Sequence, residues 1–94
     1  MPRSNLEIYV DILESLTVKS PKNISAIMRK SNLNSTTVNQ HLDLLVTKQL
    51  VDKINHKKRV LYTITPKGTL ILKTFSKIKE AFQIEEKDLN RFLF

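Results

Sequence analysis

Residues 35–68, STTVNQHLDLLVTKQLVDKINHKKRVLYTITPKG, change pattern three times in succession. From 35 to about 48 the apolar positions recur at helical spacing. At about 100° per residue Val38, Leu42 and Leu45 cluster on one side, which leaves Thr36, Asn39, Gln40, Asp43 and Thr47 on the other. Residues 50–55 and 59–64 then read as two strands. In the second, Val60, Tyr62 and Ile64 are expected to point inward and Arg59, Leu61 and Thr63 outward, with His56-Lys57-Lys58 as the tip. Thr65-Pro66-Lys67-Gly68 restarts a helix: threonine supplies the cap, and proline suits the first helical position because its missing amide hydrogen has no helical partner there.

Upstream, Ser4-Asn5-Leu6-Glu7 has the form of a capping box and opens a helix. Leu6, Tyr9, Leu13 and Leu16 fall on one face with Ile12 beside them, opposite an acidic stripe of Glu7, Asp11 and Glu14. The stripe is expected to face away from a polyanion. Lys19-Ser20-Pro21-Lys22 interrupts the pattern as a loop, because Pro21 lacks an amide hydrogen and disfavours helix before it. Asn23 caps a short second helix that buries Ile24, Ile27 and Met28, projects Arg29 and Lys30, and ends near Ser31. Asn32-Leu33-Asn34 is a tight turn, since asparagine tolerates left-handed backbone angles and Leu33 can plug the corner between two helices.

Downstream of Gly68 there is neither glycine nor proline. Ile71, Phe75, Ile78, Phe82, Glu85, Leu89 and Phe92 follow alternating spacings of four and three, a heptad seam with one acidic interruption. An unbroken helix over 66–93 would run roughly 42 Å at 1.5 Å per residue. A small domain cannot cover its distal half, so Ile71, Phe75, Ile78, Phe82, Leu89 and Phe92 are expected to form a dimeric coiled coil. The competing reading is a helix that ends near Phe82, followed by a loose or folded-back tail.

Taken in order, these elements predict an α+β winged helix-turn-helix: three helices, a two-stranded wing and a long C-terminal helix. Residues 1–65 form the winged unit, and residues 66–94 form a helix for dimerisation or partner contact. With 94 residues, 40% apolar and 27% charged, the chain suits one modest domain with no long disordered segment. It has no cysteine, which excludes disulfides and thiolate chemistry. No apolar run resembles a signal peptide or a membrane span, so a cytoplasmic protein is expected.

The net charge of +7 conceals a sharper partition. Residues 1–18 set Arg3 against Glu7, Asp11 and Glu14, and residues 80–94 are also net −2. Residues 19–79 hold 13 lysines and arginines against only Asp43 and Asp52, a net +11. Such a block is the electrostatic footprint of a phosphate-binding surface. The third helix supplies amides and hydroxyls, so Ser35, Thr36, Thr37, Asn39 and Gln40 are the candidates for reading base edges in the major groove. Arg29, Lys30, Lys48, Lys53, Lys57, Lys58 and Arg59 are the candidates for phosphates or a minor groove. Asp43 repels phosphates unless it accepts from a cytosine amine or pairs with a lysine. No paired carboxylates on an apolar face and no glycine-rich phosphate loop are present. His41 reads as a packed or interface histidine, and His56 stands apart at the wing tip, so no catalytic centre, metal site, cofactor or small-molecule substrate is expected.

With those residues in view, the chain resembles the archaeal winged helix-turn-helix family of small transcriptional regulators and coiled-coil-dimer chromatin proteins. The likeness runs from Arg3 through Leu13, then Ile27-Met28, Asn32-Leu33-Asn34, Leu42-Asp43-Leu44-Leu45 and Leu50-Val51, and ends on Tyr62-Thr63-Ile64-Thr65-Pro66-Lys67-Gly68. It departs at Arg29-Lys30-Ser31, where the family commonly has a Tyr-Lys-Ala-like stretch, and the helix after Gly68 is shorter than in the longest coiled-coil members. The resemblance implies double-stranded DNA binding through the helix from Ser35 and the wing around Lys57, dimerisation by the last helix, and a nucleoid-associated role. The competing function is a protein–protein interaction module that uses the fold as scaffold and the apolar seam as its surface.

Overall fold

The computed structural model describes residues 3–17 and 20–93, with side chains from 3 to 17 and from 20 to 82. Its elements are α1 (Asn5–Ser15), α2 (Ile24–Ser31), α3 (Ser35–Thr47), β1 (Val51–His56), β2 (Arg59–Ile64) and α4 (Pro66–Leu93). This is the expected α+β order of three helices, a two-stranded wing and a long final helix. Of the expected seam, Leu89 and Phe92, like the interrupting Glu85, lie outside the residues described to the side chain.

The helix starts follow the caps written in the sequence. The Glu7 amide donates to the Ser4 hydroxyl at 3.1 Å while the Glu7 carboxylate faces the Ser4 amide, a complete capping box. Asn23 Oδ1 accepts from the Ala26 amide and Asn34 Oδ1 from the Thr37 amide, both at 2.9 Å. Between α2 and α3 the chain turns on Asn32, which holds φ 56 and ψ 48, and Leu33 tucks against the core as expected.

The core draws on every element: Val10, Ile12, Leu13 and Leu16 of the first helical segment, Ile27, the expected Val38, Leu42 and Leu45 of α3, Val51, Tyr62, and Leu72 of α4. Leu6 departs from expectation, being 56% exposed. Its angular position matches that of Leu13, but it sits in the first turn, beyond the reach of the elements that cover the rest of the face. In α4 the core contact falls on Leu72 and the half-buried Phe75, whereas Ile71 is exposed. Among the described residues the buried stripe and the heptad seam are therefore about 60° apart around the helix at 100° per residue and share only Phe75.

The ribbon is antiparallel, with Val51 opposite Ile64 and His56 opposite Arg59. Its first strand thus lies one residue later than expected, and the turn consists of Lys57 and Lys58 alone. Both have positive φ, 45° and 65°, as a two-residue type I′ hairpin turn requires, although neither is the glycine or asparagine that adopts it without strain. Val60 was expected to point inward yet is 38% exposed. It occupies the inward register, but the outer half of the ribbon projects past the helices and nothing covers either face there. Lys22, expected in a plain loop, instead forms a bridge to the free edge of β2: its amide donates to the Tyr62 carbonyl at 2.9 Å and its carbonyl accepts from the Tyr62 amide at 2.8 Å.

The junction between α3, the wing and α4 is closely locked. The Leu50 carbonyl accepts from the Thr65 amide at 3.1 Å, the Thr65 hydroxyl donates to the Gln49 carbonyl at 2.8 Å, and the Gly68 amide donates to that hydroxyl at 3.0 Å. Gly68 is pressed onto this turn so closely that a Cβ would overlap the Leu50 carbonyl oxygen and stand 2.9 Å from Ile64 Cγ1.

Two substitutions test these features through the melting temperature. Gly68→Ala forces α4 off a backbone carbonyl and should cost about 2 kcal/mol, lowering the melting temperature by about 10 °C for a domain of this size; an unchanged value would contradict the close approach. Replacing Lys57 by Asn and Lys58 by Gly relieves two left-handed residues and should raise stability by about 1 kcal/mol, and a decrease would show that the turn is not strained.

Candidate nucleic-acid interface

The core stripe of α3 fixes its opposite face. Thr36, Gln40, Asp43 and Thr47 form an exposed ridge, flanked by exposed Ser35 and Asn39, while Thr37 is half-buried. The candidates differ in what their side chains are already doing. Asn39 Nδ2 donates to the Ser35 carbonyl at 2.9 Å, which occupies one of its two amide hydrogens and restrains the side chain. The Gln40 amide has no such internal bond and is the freer reader. Thr37 contributes its carbonyl to His41 Nδ1 at 2.7 Å, which requires the proton to reside on that nitrogen.

His41 is indeed a packed residue. Its ring lies 4.7 Å from that of Tyr9, tilted by 56°, and Nε2 faces Asn5 Oδ1 at 3.4 Å. It ties α1 to the middle of α3 and thereby fixes how α3 is presented. Arg3, which sequence reasoning did not single out, does similar work at the other end. Its guanidinium donates to Asp11 at 2.7 Å and to the carbonyls of Ser31 and Asn32 at 2.7 and 2.8 Å, closing the open end of α2 and holding the turn into α3. A lone arginine ahead of a helix cap carries no signal of that role. Arg3 and Asp11 also wall an open polar cleft with Glu14, Ser15, Lys30 and Ser31.

The expected cations are all exposed: Arg29, Lys30, Lys48, Lys53, Lys57, Lys58 and Arg59. They divide by position. Arg29 and Lys30 occupy the last turn of α2, where they also complement the negative end of the helix dipole. Lys48 ends α3, and its carbonyl accepts from Lys67 Nζ at 3.2 Å. Lys57, Lys58 and Arg59 crown the part of the ribbon that stands clear of the helices. Tyr62, at the base of the ribbon, has its hydroxyl pKa pushed up by burial and further by the Asp43 carboxylate. Among the described residues no group of three or more His, Cys, Asp or Glu side chains is placed to hold a metal ion, and no helix is long and apolar enough to cross a membrane.

Comparison with known proteins extends this picture. No curated protein matches the sequence. Among solved structures the fold is similar to that of Sso10a-2, described as a DNA-binding protein from Sulfolobus solfataricus, with TM-score 0.77, 25% identity and 98% of each chain covered. It is also similar to the transcriptional regulator BldR from Sulfolobus solfataricus, with TM-score 0.74 and 22% identity over 84% of this chain and 58% of that one. A MarR family transcriptional regulator from Silicibacter pomeroyi gives TM-score 0.71 and 22% identity over 84% of this chain and 53% of that one. The chain thus spans little more than half of those two regulators and nearly all of Sso10a-2. Its sequence matches the winged helix-turn-helix family over residues 2–83, the span that holds the tight turn at Asn32, the polar outward ridge of α3 and the lysine-tipped hairpin. The chain belongs to the winged helix-turn-helix family.

Proposed function

We propose that the protein binds double-stranded DNA as a dimer and acts as a transcriptional regulator or nucleoid component. α3 enters the major groove with Ser35, Thr36, Thr37, Asn39 and Gln40 toward base edges, and Arg29, Lys30, Lys48, Lys53, Lys57, Lys58 and Arg59 meet phosphates or the adjoining minor groove. The observation that carries this reading is the pairing of two surfaces within one locked unit: an outward helix ridge of amides and hydroxyls, and a hairpin that projects three consecutive cations. The description of Sso10a-2 as DNA-binding and of BldR as a transcriptional regulator supports it. The reading makes the protein a binder rather than an enzyme, in need of no cofactor, and places it with the nucleoid.

Dimerisation belongs to the same proposal. α4 continues to Leu93, and the described part of its seam leaves Ile78 47% and Phe82 64% exposed. A matching seam from a second copy would cover them, which assigns residues 1–65 to DNA and residues 66–94 to assembly.

Fluorescence anisotropy with a labelled duplex at several salt concentrations tests the DNA reading. Affinity should fall steeply with salt, by about 0.9 in log–log slope for each phosphate neutralised, and affinity indifferent to salt would overturn it. Replacing Lys57, Lys58 and Arg59 together by Ala should weaken binding at least about tenfold and flatten that slope by about 2 to 3; a protein-interaction module would lose nothing. In sedimentation, Ile78→Ser with Phe82→Ser should turn a dimer into a monomer, whereas a monomeric parent chain would remove dimerisation from the proposal.

A further inference from the structure

One carboxylate on the α3 ridge has no structural employment. Asp43 lies near the middle of a 13-residue helix, so it caps neither end and meets neither pole of the helix dipole. Its neighbours three and four residues away are Asn39, Gln40, Val46 and Thr47, which offer no cation for a helical ion pair. The ion pair among the described residues is Arg3 with Asp11, and none of the described lysines and arginines pairs with Asp43. This is notable in a block of net +11, where Asp52 is the only other acid. Aspartate is also among the weaker helix formers, so a solvated face gains nothing from it there. The side chain is exposed, in line with Thr36, Gln40 and Thr47, and its charge is felt by Tyr62 at the base of the wing.

We infer that Asp43 is a specificity-determining residue, which accepts a hydrogen bond from the exocyclic amine of a cytosine in the major groove and penalises other bases at that position. The inference rests on the DNA reading above. An ionised carboxylate only accepts hydrogen bonds. In the major groove guanine and thymine present acceptors, so they leave the carboxylate desolvated and unpaired. Adenine offers an amine but sets the N7 acceptor beside it, whereas cytosine presents its N4 amine with no acceptor on its own major-groove edge. Away from such a cytosine the carboxylate stands among phosphates and weakens binding. Asp43 therefore trades general affinity for discrimination, the balance a regulator needs and a general packaging protein does not.

The test compares the full-length protein with Asp43→Asn. Each is used to select duplexes from a random pool, and affinities are then measured on the selected duplexes and on a random-sequence duplex. Both should melt at the same temperature, since the side chain is exposed and bonds to none of the described residues. The parent protein should enrich cytosine at one position of its site and lose about tenfold in affinity when that base is changed. Asn adds donors and pairs two-fold with adenine, so Asp43→Asn should shift the preference at that one position from cytosine to adenine and bind random duplex several-fold more tightly. Unchanged base preference in the variant, or the same change in affinity on every duplex, overturns the inference and leaves the DNA reading intact. A parent protein that binds no duplex overturns the DNA reading itself.

Discussion

The close approach of Gly68 to the Leu50 carbonyl is the contact on which the arrangement of the molecule turns. That carbonyl belongs to the turn leaving α3 and accepts the Thr65 amide. The Thr65 hydroxyl in turn joins the Gln49 carbonyl to the Gly68 amide. Three elements that differ in kind are thereby fixed to one another within a few residues: the end of α3, the return strand of the wing and the first turn of α4. The hydrogen bonds are directional, so a small displacement of the α4 axis at this point would be magnified along a 28-residue helix. A side chain of any size at position 68 would cause that displacement. The single glycine of the sequence is placed where backbone meets backbone.

The same rigidity gives the charge distribution its meaning. The cations of residues 19–79 are spread along the sequence, but the fold gathers several of them on a hairpin that leaves the body and others on the exposed ends of α2 and α3. Electrostatic attraction falls off over about 10 Å at moderate salt, so cations that project are worth more to a polyanion than cations lying flat against the domain. The α3 ridge is nearly neutral by comparison. On the proposed reading, strength and selectivity are separated in space, the wing and helix ends supplying the first and the ridge the second. His41 against Tyr9 and Arg3 across the α2–α3 turn hold the ridge at a fixed attitude.

Most of the fold could be read from local chemistry. Capping residues stand within three positions of the amides they satisfy, so Ser4, Asn23 and Thr65 announced their helices, while Asn34, read as part of a turn, is also the cap of α3. The apolar spacing of α3 announced its buried face because that helix is covered along its length. The misreadings arose where periodicity gives direction but not depth. Leu6 and Val60 point the right way yet lie past the edge of the covering elements, and in α4 the heptad seam and the core stripe are different faces of one helix. The bridge from Lys22 to Tyr62 and the clamp of Arg3 on Ser31 and Asn32 pair residues far apart in sequence. Neither leaves a local trace.

The sequence by itself determined the element order, the helix starts, the polar character of the α3 ridge and the concentration of positive charge in the middle of the chain. These follow from the identity and spacing of residues a few positions apart, which are the same before and after folding. Only the tertiary structure decided which cations project, why position 68 must be glycine and that Asp43 stands exposed with no partner among the described residues. Those outcomes depend on how distant segments pack. Burial, distance and the absence of a competing partner exist only once the segments have met.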